Sequence, residues 1–294
     1  ENMVVDWILL IIGLIVLLIA SYSDIKTTEI PDWLSYFLII SGISLRGLYS
    51  ITTNNMFYTT AALTSLGIFF LIGNLMYYAK QWGGGDAKLL MGVSVIFATY
   101  PAQFIGLFPS RLSEASLPII IFINILLVGM VYSLFFIVFM AVKHSKEFIK
   151  EFKLYMMHTK KSRKTILIFS ILLMILGILS KNIIYKVILF IAAVFAVFML
   201  YFWISIKAVE KSCMYKYISP QKLLEGDWLT KDIYHNKRLI IKKPIYGVTK
   251  EHIDILKKLK IKKVEIKQGI IFTPTFPIAV IISLIIGNPI NYLI

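Results

Sequence analysis

Apolar residues run through this chain in long unbroken stretches rather than in the short alternations of a soluble fold. Eight such runs stand out, at residues 4–20, 33–48, 58–78, 87–108, 117–142, 165–179, 183–206 and 276–293. About 20 residues at 1.5 Å each cross the hydrocarbon of a bilayer, so each run predicts a transmembrane helix. The first run has no basic segment before it and no small-residue cleavage site, and it reads as a retained span rather than a removable signal. Residues 165–206 form a tight helical hairpin broken at Ser180-Lys181-Asn182, without an internal acid, which suits a scaffold. Within residues 143–164, Phe148, Phe152, Tyr155 and Met156 recur at helical spacing between lysines. That pattern fits an interfacial amphipathic helix, or equally a basic linker with a few anchors. Residues 207–271 are the one polar stretch long enough to fold outside the membrane. There, 238–246 is strand-like, Thr249 can cap a helix reaching Leu259, and Val264-Glu265-Ile266 alternates as a short strand.

The pattern predicts an all-α polytopic membrane protein with about eight transmembrane helices and a small cytoplasmic α+β module. Its parts are a transmembrane core (1–142), an amphipathic linker (143–164), a hairpin (165–206), the soluble module (207–271) and a last helix (272–294). Composition agrees: 58% of residues are hydrophobic and the mean hydropathy is +0.79, against about half apolar in a soluble domain.

Charge then orients the spans. With the N-terminus outside, the inner connections 21–32, 79–88, 143–164 and 207–271 hold 1, 2, 8 and 16 Lys/Arg, 27 of the 31 in the chain. The outer connections hold Arg46, Arg111, Lys181 and Lys186. Basic residues concentrate on the cytoplasmic side of membrane proteins, so the net charge of +15 reflects topology and attraction to anionic lipid heads. No nucleic-acid-binding motif is present, and no nucleic acid is expected as a partner. The one cysteine, Cys213, excludes an internal disulfide and a multi-cysteine zinc site, and the four histidines lack ligand spacing. No metal or cofactor is expected.

Against this apolar background two carboxylates stand out. Asp24 closes the first run, in Ser23-Asp24-Ile25-Lys26, and Asp86 ends Gly83-Gly84-Gly85-Asp86 at the mouth of the fourth. An ionisable residue at the edge of a span marks a functional site by default. Two crossings separate the pair, so both reach the same, inner face. Close carboxylates do not both ionise cheaply and tend to share a proton, which is what peptide hydrolysis needs: one group takes a proton from water and the other gives one to the scissile carbonyl. The three glycines would let a substrate backbone approach and would ease the turn into the helix.

Ser23-Asp24 followed by Glu29-Ile30-Pro31-Asp32, and Gly83-Gly84-Gly85-Asp86-Ala87-Lys88, resemble the two motifs of type IV prepilin peptidases, the second being their GxGD motif. The likeness is nearest to archaeal preflagellin and prepilin peptidases. The segments 117–124 and Thr273-Pro274-Thr275-Phe276-Pro277-Ile278 resemble that group as well. The resemblance implies an aspartic endopeptidase of the inner membrane face, with Asp24 and Asp86 as catalytic pair. Its substrates would be prepilins or preflagellins, cut after a short basic leader and before an apolar segment. Bacterial members also methylate the product through a cysteine-rich domain; this chain has one cysteine, and methyl transfer is not expected. The hairpin and module exceed the simplest six-helix preflagellin peptidases.

A leader rich in Lys/Arg would meet Glu29 and Asp32 beside the dyad; capping the second helix, with Pro31 in its first turn, is an equally good use for those acids. Lys88 could pair with lipid phosphate. Asn74, Gln103, Asn124 and Asn288 suit helix–helix hydrogen bonds, Pro118 and Pro277 suit helix starts, and Trp7, Trp33, Trp82 and Trp203 suit an aromatic belt. Two other activities compete with leader cleavage. A presenilin- or signal-peptide-peptidase-like protease would carry both aspartates inside helices. A cation-coupled transporter would need further acids along a path, and none is evident.

Overall fold

A computed structural model describes residues 2–101, 116–235, 238–243 and 247–292. It separates into two units, Glu1–Ser133 with Ile270–Ile294, and Leu134–Gly269.

The first unit contains α1 (Asn2–Thr27), α2 (Asp32–Thr53), α3 (Phe57–Tyr78), α4 (Gly84–Ile96), the first part of α5 (Leu117–Lys143) and, from the far end of the chain, α10 (Thr275–Ile285). Helix α1 stops where Thr28 adopts a left-handed φ of 58° and its N–H closes on the Asp24 carbonyl at 2.9 Å. Pro31 then starts α2, and Asn54, with φ 49°, ends it, since asparagine tolerates that region. The core is built from Leu17, Leu34, Leu38, Phe69, Leu89, Leu90, Ile121 and Phe276. Helix α4 lies within it, with eight of its 13 residues buried. At Gly92 a Cβ would come 2.8 Å from the Leu38 Cβ, so α2 and α4 approach at a distance only a glycine allows.

The second unit contains the rest of α5, then α6 (Ser145–His158), α7 (Lys160–Leu179) and α8 (Ile183–Val209), followed by five strands and α9 (Lys250–Lys258). Helix α6 buries no residue and packs the Phe148 ring against Phe152 in a tilted pair at 5.7 Å, as its amphipathic pattern suggests. The α7–α8 hairpin turns at 180–182, where the Asn182 side chain accepts the Ile184 N–H at 2.8 Å. Ser170, Gly177 and Ala193 are its small buried contacts. Strands β1 (Tyr215–Ile218), β2 (Trp228–Leu229) and β5 (Val264–Lys267) form an antiparallel sheet in the order β1-β5-β2, while β3 (Ile233–His235) and β4 (Arg238–Ile241) form a hairpin. Thr249 caps α9 in a capping box closed by His252. Inward residues Val264 and Ile266 alternate with outward Glu265 and pack with Leu229, Ile253 and Leu256. The helix expected up to Leu259 and the strand expected at 264–266 are therefore present; residues 244–246 of the expected strand lie outside the described set.

The chain is a polytopic membrane protein with a small α+β region. Among the described residues six helices are long and apolar enough to cross a membrane, against about eight expected: α1, α2, α3, α5, α7 and α8. The other two expected spans are shorter helices. Helix α4 has 13 residues and α10 has 11, about 20 and 17 Å at 1.5 Å per residue, against about 30 Å of hydrocarbon. Helix α10 stops before Gly287, whose φ is 81°, and Pro289; residues 102–108 of the fourth run lie outside the described set.

The end of α4 has its own explanation. Arg46, counted above among outer connections, lies inside α2 and is buried. Its Nε donates to the Val95 carbonyl at 3.1 Å, and its terminal nitrogens donate to the Ile96 carbonyl and the Thr99 hydroxyl, each at 2.8 Å. A helix C-terminus presents unsatisfied carbonyls and a partial negative charge; one guanidinium answers both.

Candidate active site

Asp24 lies in the last turn of α1 and Asp86 in the first turn of α4, after Gly83 as N-cap. Asp24 is 9% exposed. Helices α2 and α3 separate the two residues in sequence, and a third residue joins them in space. Thr273, just before α10, is fully buried. Its hydroxyl is 2.7 Å from Asp24 Oδ2 and 3.3 Å from Asp86 Oδ1, and its backbone N–H donates to Asp24 Oδ2 at 3.3 Å. Two carboxylates sharing one hydroxyl neighbour are close enough to act on one bound water or carbonyl.

Thr273 is itself held on both sides. Its carbonyl accepts the Ser21 hydroxyl at 3.4 Å and the Phe276 N–H at 3.0 Å. The preceding Phe272 packs on Trp82 at 5.6 Å, and Trp82 also meets Phe276 and Phe122. The Phe272 ring occupies the space a Cβ on Gly129 of α5 would need. Trp82 is thus buried, 8% exposed, and wedges the residue before the glycine run, whereas Trp7, Trp33 and Trp203 are exposed.

The three glycines differ in use. A Cβ on Gly83 would meet Asp86 Oδ2 at 3.4 Å, and one on Gly84 would reach only Tyr77 at 3.7 Å, both ordinary contacts. Gly85 is tighter: Ile30 lies 3.0 Å from where its Cβ would be. None of the three has positive φ, so the turn into α4 does not depend on glycine's left-handed freedom, contrary to expectation.

Among the acids near the dyad, Asp32 is the first residue of α2 but its side chain makes no capping bond. Both its oxygens lie 2.7 Å from Lys88 Nζ, which ties the start of α2 to that of α4 and gives Lys88 a protein partner in place of lipid phosphate. The pair is exposed at 39% and 54%, where such bridges contribute little. The Glu29 carbonyl accepts the Ser23 hydroxyl at 3.0 Å and the Thr27 hydroxyl at 3.3 Å, ordering the loop after Asp24. Asn124 bonds across to Ser283 and to the Gly287 carbonyl, the helix-joining role expected of it, whereas among the described residues Asn74 bonds back to Phe70 in its own helix; Gln103 lies outside the described residues.

Sequence reasoning assigned no role to Thr273 or Arg46. The signal for Thr273 was a hydroxyl at the start of the last apolar run, inside a segment already matching the motif-bearing group.

The chain is 32% identical over 117 residues to a preflagellin peptidase of Methanocaldococcus jannaschii, covering 39% of this chain and 50% of the relative. It is 37% identical over 89 residues to one of Methanococcus voltae, covering 30% and 38%. It is 29% identical over 156 residues to the prepilin peptidase EppA of Methanothermobacter thermautotrophicus, covering 51% and 40%. The chain spans about half or less of the length of these curated relatives. No solved structure matches it. Residues 11–141, the segment carrying Asp24 and Asp86, match the model of the type IV leader peptidase family.

Proposed function

We propose that this chain is a membrane aspartic endopeptidase that removes the short basic leader of prepilins or preflagellins at the cytoplasmic face of the cell membrane. The observation that carries this reading is one threonine hydroxyl within hydrogen-bonding distance of both Asp24 and Asp86. The family model matched by residues 11–141 and the preflagellin and prepilin peptidase activities of the relatives support the substrate class. One carboxylate takes a proton from a water whose oxygen attacks the scissile carbonyl carbon; the other, protonated, gives its proton to the carbonyl oxygen. Collapse of the tetrahedral intermediate breaks the C–N bond. The first carboxyl protonates the leaving amine and the second recovers a proton from the gem-diol.

Both aspartates stand at helix ends, which favours a shallow site over one in mid-bilayer. A helical substrate hides its carbonyls in internal hydrogen bonds, so cleavage falls at the flexible leader junction. The glycines at 83 and 84 leave room for the substrate backbone, and Glu29 and Asp32 meet the leader's basic residues, with Lys88 competing for Asp32. No cofactor is needed. Membrane lipid surrounds the spans, and nucleic acid plays no part.

The test is cleavage of a full-length prepilin or preflagellin in detergent or vesicles. Asp24→Asn and Asp86→Asn should each abolish product while leaving insertion and melting temperature near those of the parent. Full activity in either variant would falsify the reading. Cysteine at position 28, in a Cys213→Ser background, should react with an impermeant thiol reagent from the cytoplasmic side; labelling from outside would reverse the topology.

A further inference from the structure

Resting on the dyad reading above, the geometry at Thr273 carries the mechanism one step further. A threonine hydroxyl has one proton to give. The shorter contact, 2.7 Å, goes to Asp24, and the Thr273 N–H goes to the same oxygen. The same hydroxyl lies 3.3 Å from Asp86 Oδ1, so one O–H is shared unequally between the two carboxyls, with its shorter arm on Asp24. Asp24 thus receives two donors from Thr273, the hydroxyl and the backbone N–H, and Asp86 the longer arm of the hydroxyl.

We propose that Thr273 is the positioning residue of the dyad, its hydroxyl and backbone N–H fixing the Asp24 carboxyl and the same hydroxyl holding the Asp86 carboxyl within reach of one bound water. Its burial, the Ser21 and Phe276 bonds to its carbonyl and the Phe272–Trp82 packing fix the hydroxyl in place. It touches neither water nor substrate in this role; it sets where the two carboxyls stand.

The experiment compares Thr273→Val, which keeps the shape and loses the hydroxyl, with Thr273→Ser, which keeps the hydroxyl. Steady-state cleavage by the full chain is measured alongside its melting temperature. Valine should lower kcat by about 100-fold, the scale of an ångström-sized displacement of a reacting group, with KM unchanged, and serine should restore kcat to within about threefold of the parent. Valine at parental kcat overturns the proposal. A rise in KM with kcat unchanged overturns it in favour of substrate contact. If serine and valine both lose activity together with melting temperature, the residue is structural and the proposal fails. The asparagine variants at 24 and 86 separate the two ideas: activity in either sinks the dyad itself, whereas inactive asparagine variants with a normal valine variant sink only the role of Thr273.

Discussion

Helices α4 and α7 are both apolar, yet they are held in opposite ways. Helix α4 buries eight of 13 residues and is fixed at both ends, by Arg46 at its last carbonyls and by the Trp82–Phe272–Phe276 cluster beside its first turn. Helix α7 buries only Ser170 and Gly177 among 20 residues, and its side chains are left for lipid. A helix that presents a reacting group must be fixed to a fraction of an ångström, because small displacements cost large factors in rate. A helix that only spans needs apolar side chains and one small-residue seam. Apolar content is the same signal in both cases; the difference lies in small residues and a single buried charge.

The sharpest way to break this contrast is to add one methyl group to each unit. Gly129→Ala puts a Cβ into the Phe272 ring, next to Thr273, and should lower kcat for leader cleavage by about 100-fold, the scale of an ångström-sized misplacement. Gly177→Ala meets Leu189 at 3.5 Å, an ordinary contact, and should leave kcat unchanged. Equal effects in a side-by-side assay would mean that the first unit is no more tightly specified than the second.

The next contrast is between two arginines. Arg46→Met strips three hydrogen bonds from the end of α4 and leaves the Val95 and Ile96 carbonyls buried. It should destabilise the chain by about 3 kcal/mol, the range of hydrogen bonds to a charged group. Arg163→Met removes one bond, to the Met156 carbonyl, from a donor whose Nε has no partner, and should cost no more than about 1 kcal/mol. Denaturant titration in detergent measures both, and a larger loss at 163 would reverse the ranking.

These contrasts also mark what was legible beforehand. That Asp24 and Asp86 meet, at Thr273, was legible because acids seldom stand at the edge of an apolar run without a use, and two intervening crossings would return the chain to the side it left. The six long helices followed from length and hydropathy alone. Helix ends did not, because the stop after Ile96 depends on Arg46, which arrives from α2, 50 residues earlier. Thr273 lies 249 residues from Asp24, and no local pattern distinguishes a bridging hydroxyl from one that simply starts a helix. Trp82 was expected at the interface because tryptophans usually are, yet ring packing against Phe272 and Phe276 draws it inward.

The smallest effect is expected at a carboxylate satisfied in the opposite manner to the dyad. Glu265 in β5 faces away from the module core, and its side chain is 10% exposed. Burial alone would push its carboxyl up. Hydrogen bonds from Thr230, Tyr217 and Lys231, with the charge of Lys231, outweigh that and hold it at about 2, against an ordinary 4.5. A carboxyl lowered by folding stabilises the folded state above its unfolded value, and that stabilisation is lost as pH falls through the folded one. The β1-β5-β2 sheet should therefore keep its full stability above about pH 4.5 and lose part of it progressively toward about pH 2. Amide-exchange protection factors for residues 215–218 and 264–267, measured on the full chain at pH 6 and pH 3, should fall at the lower pH. Glu265→Gln should be less protected at pH 6 and should flatten the difference, since it has no carboxyl to titrate. An equally steep loss in the glutamine variant would assign the acid sensitivity to another group and remove Glu265 from the contrast.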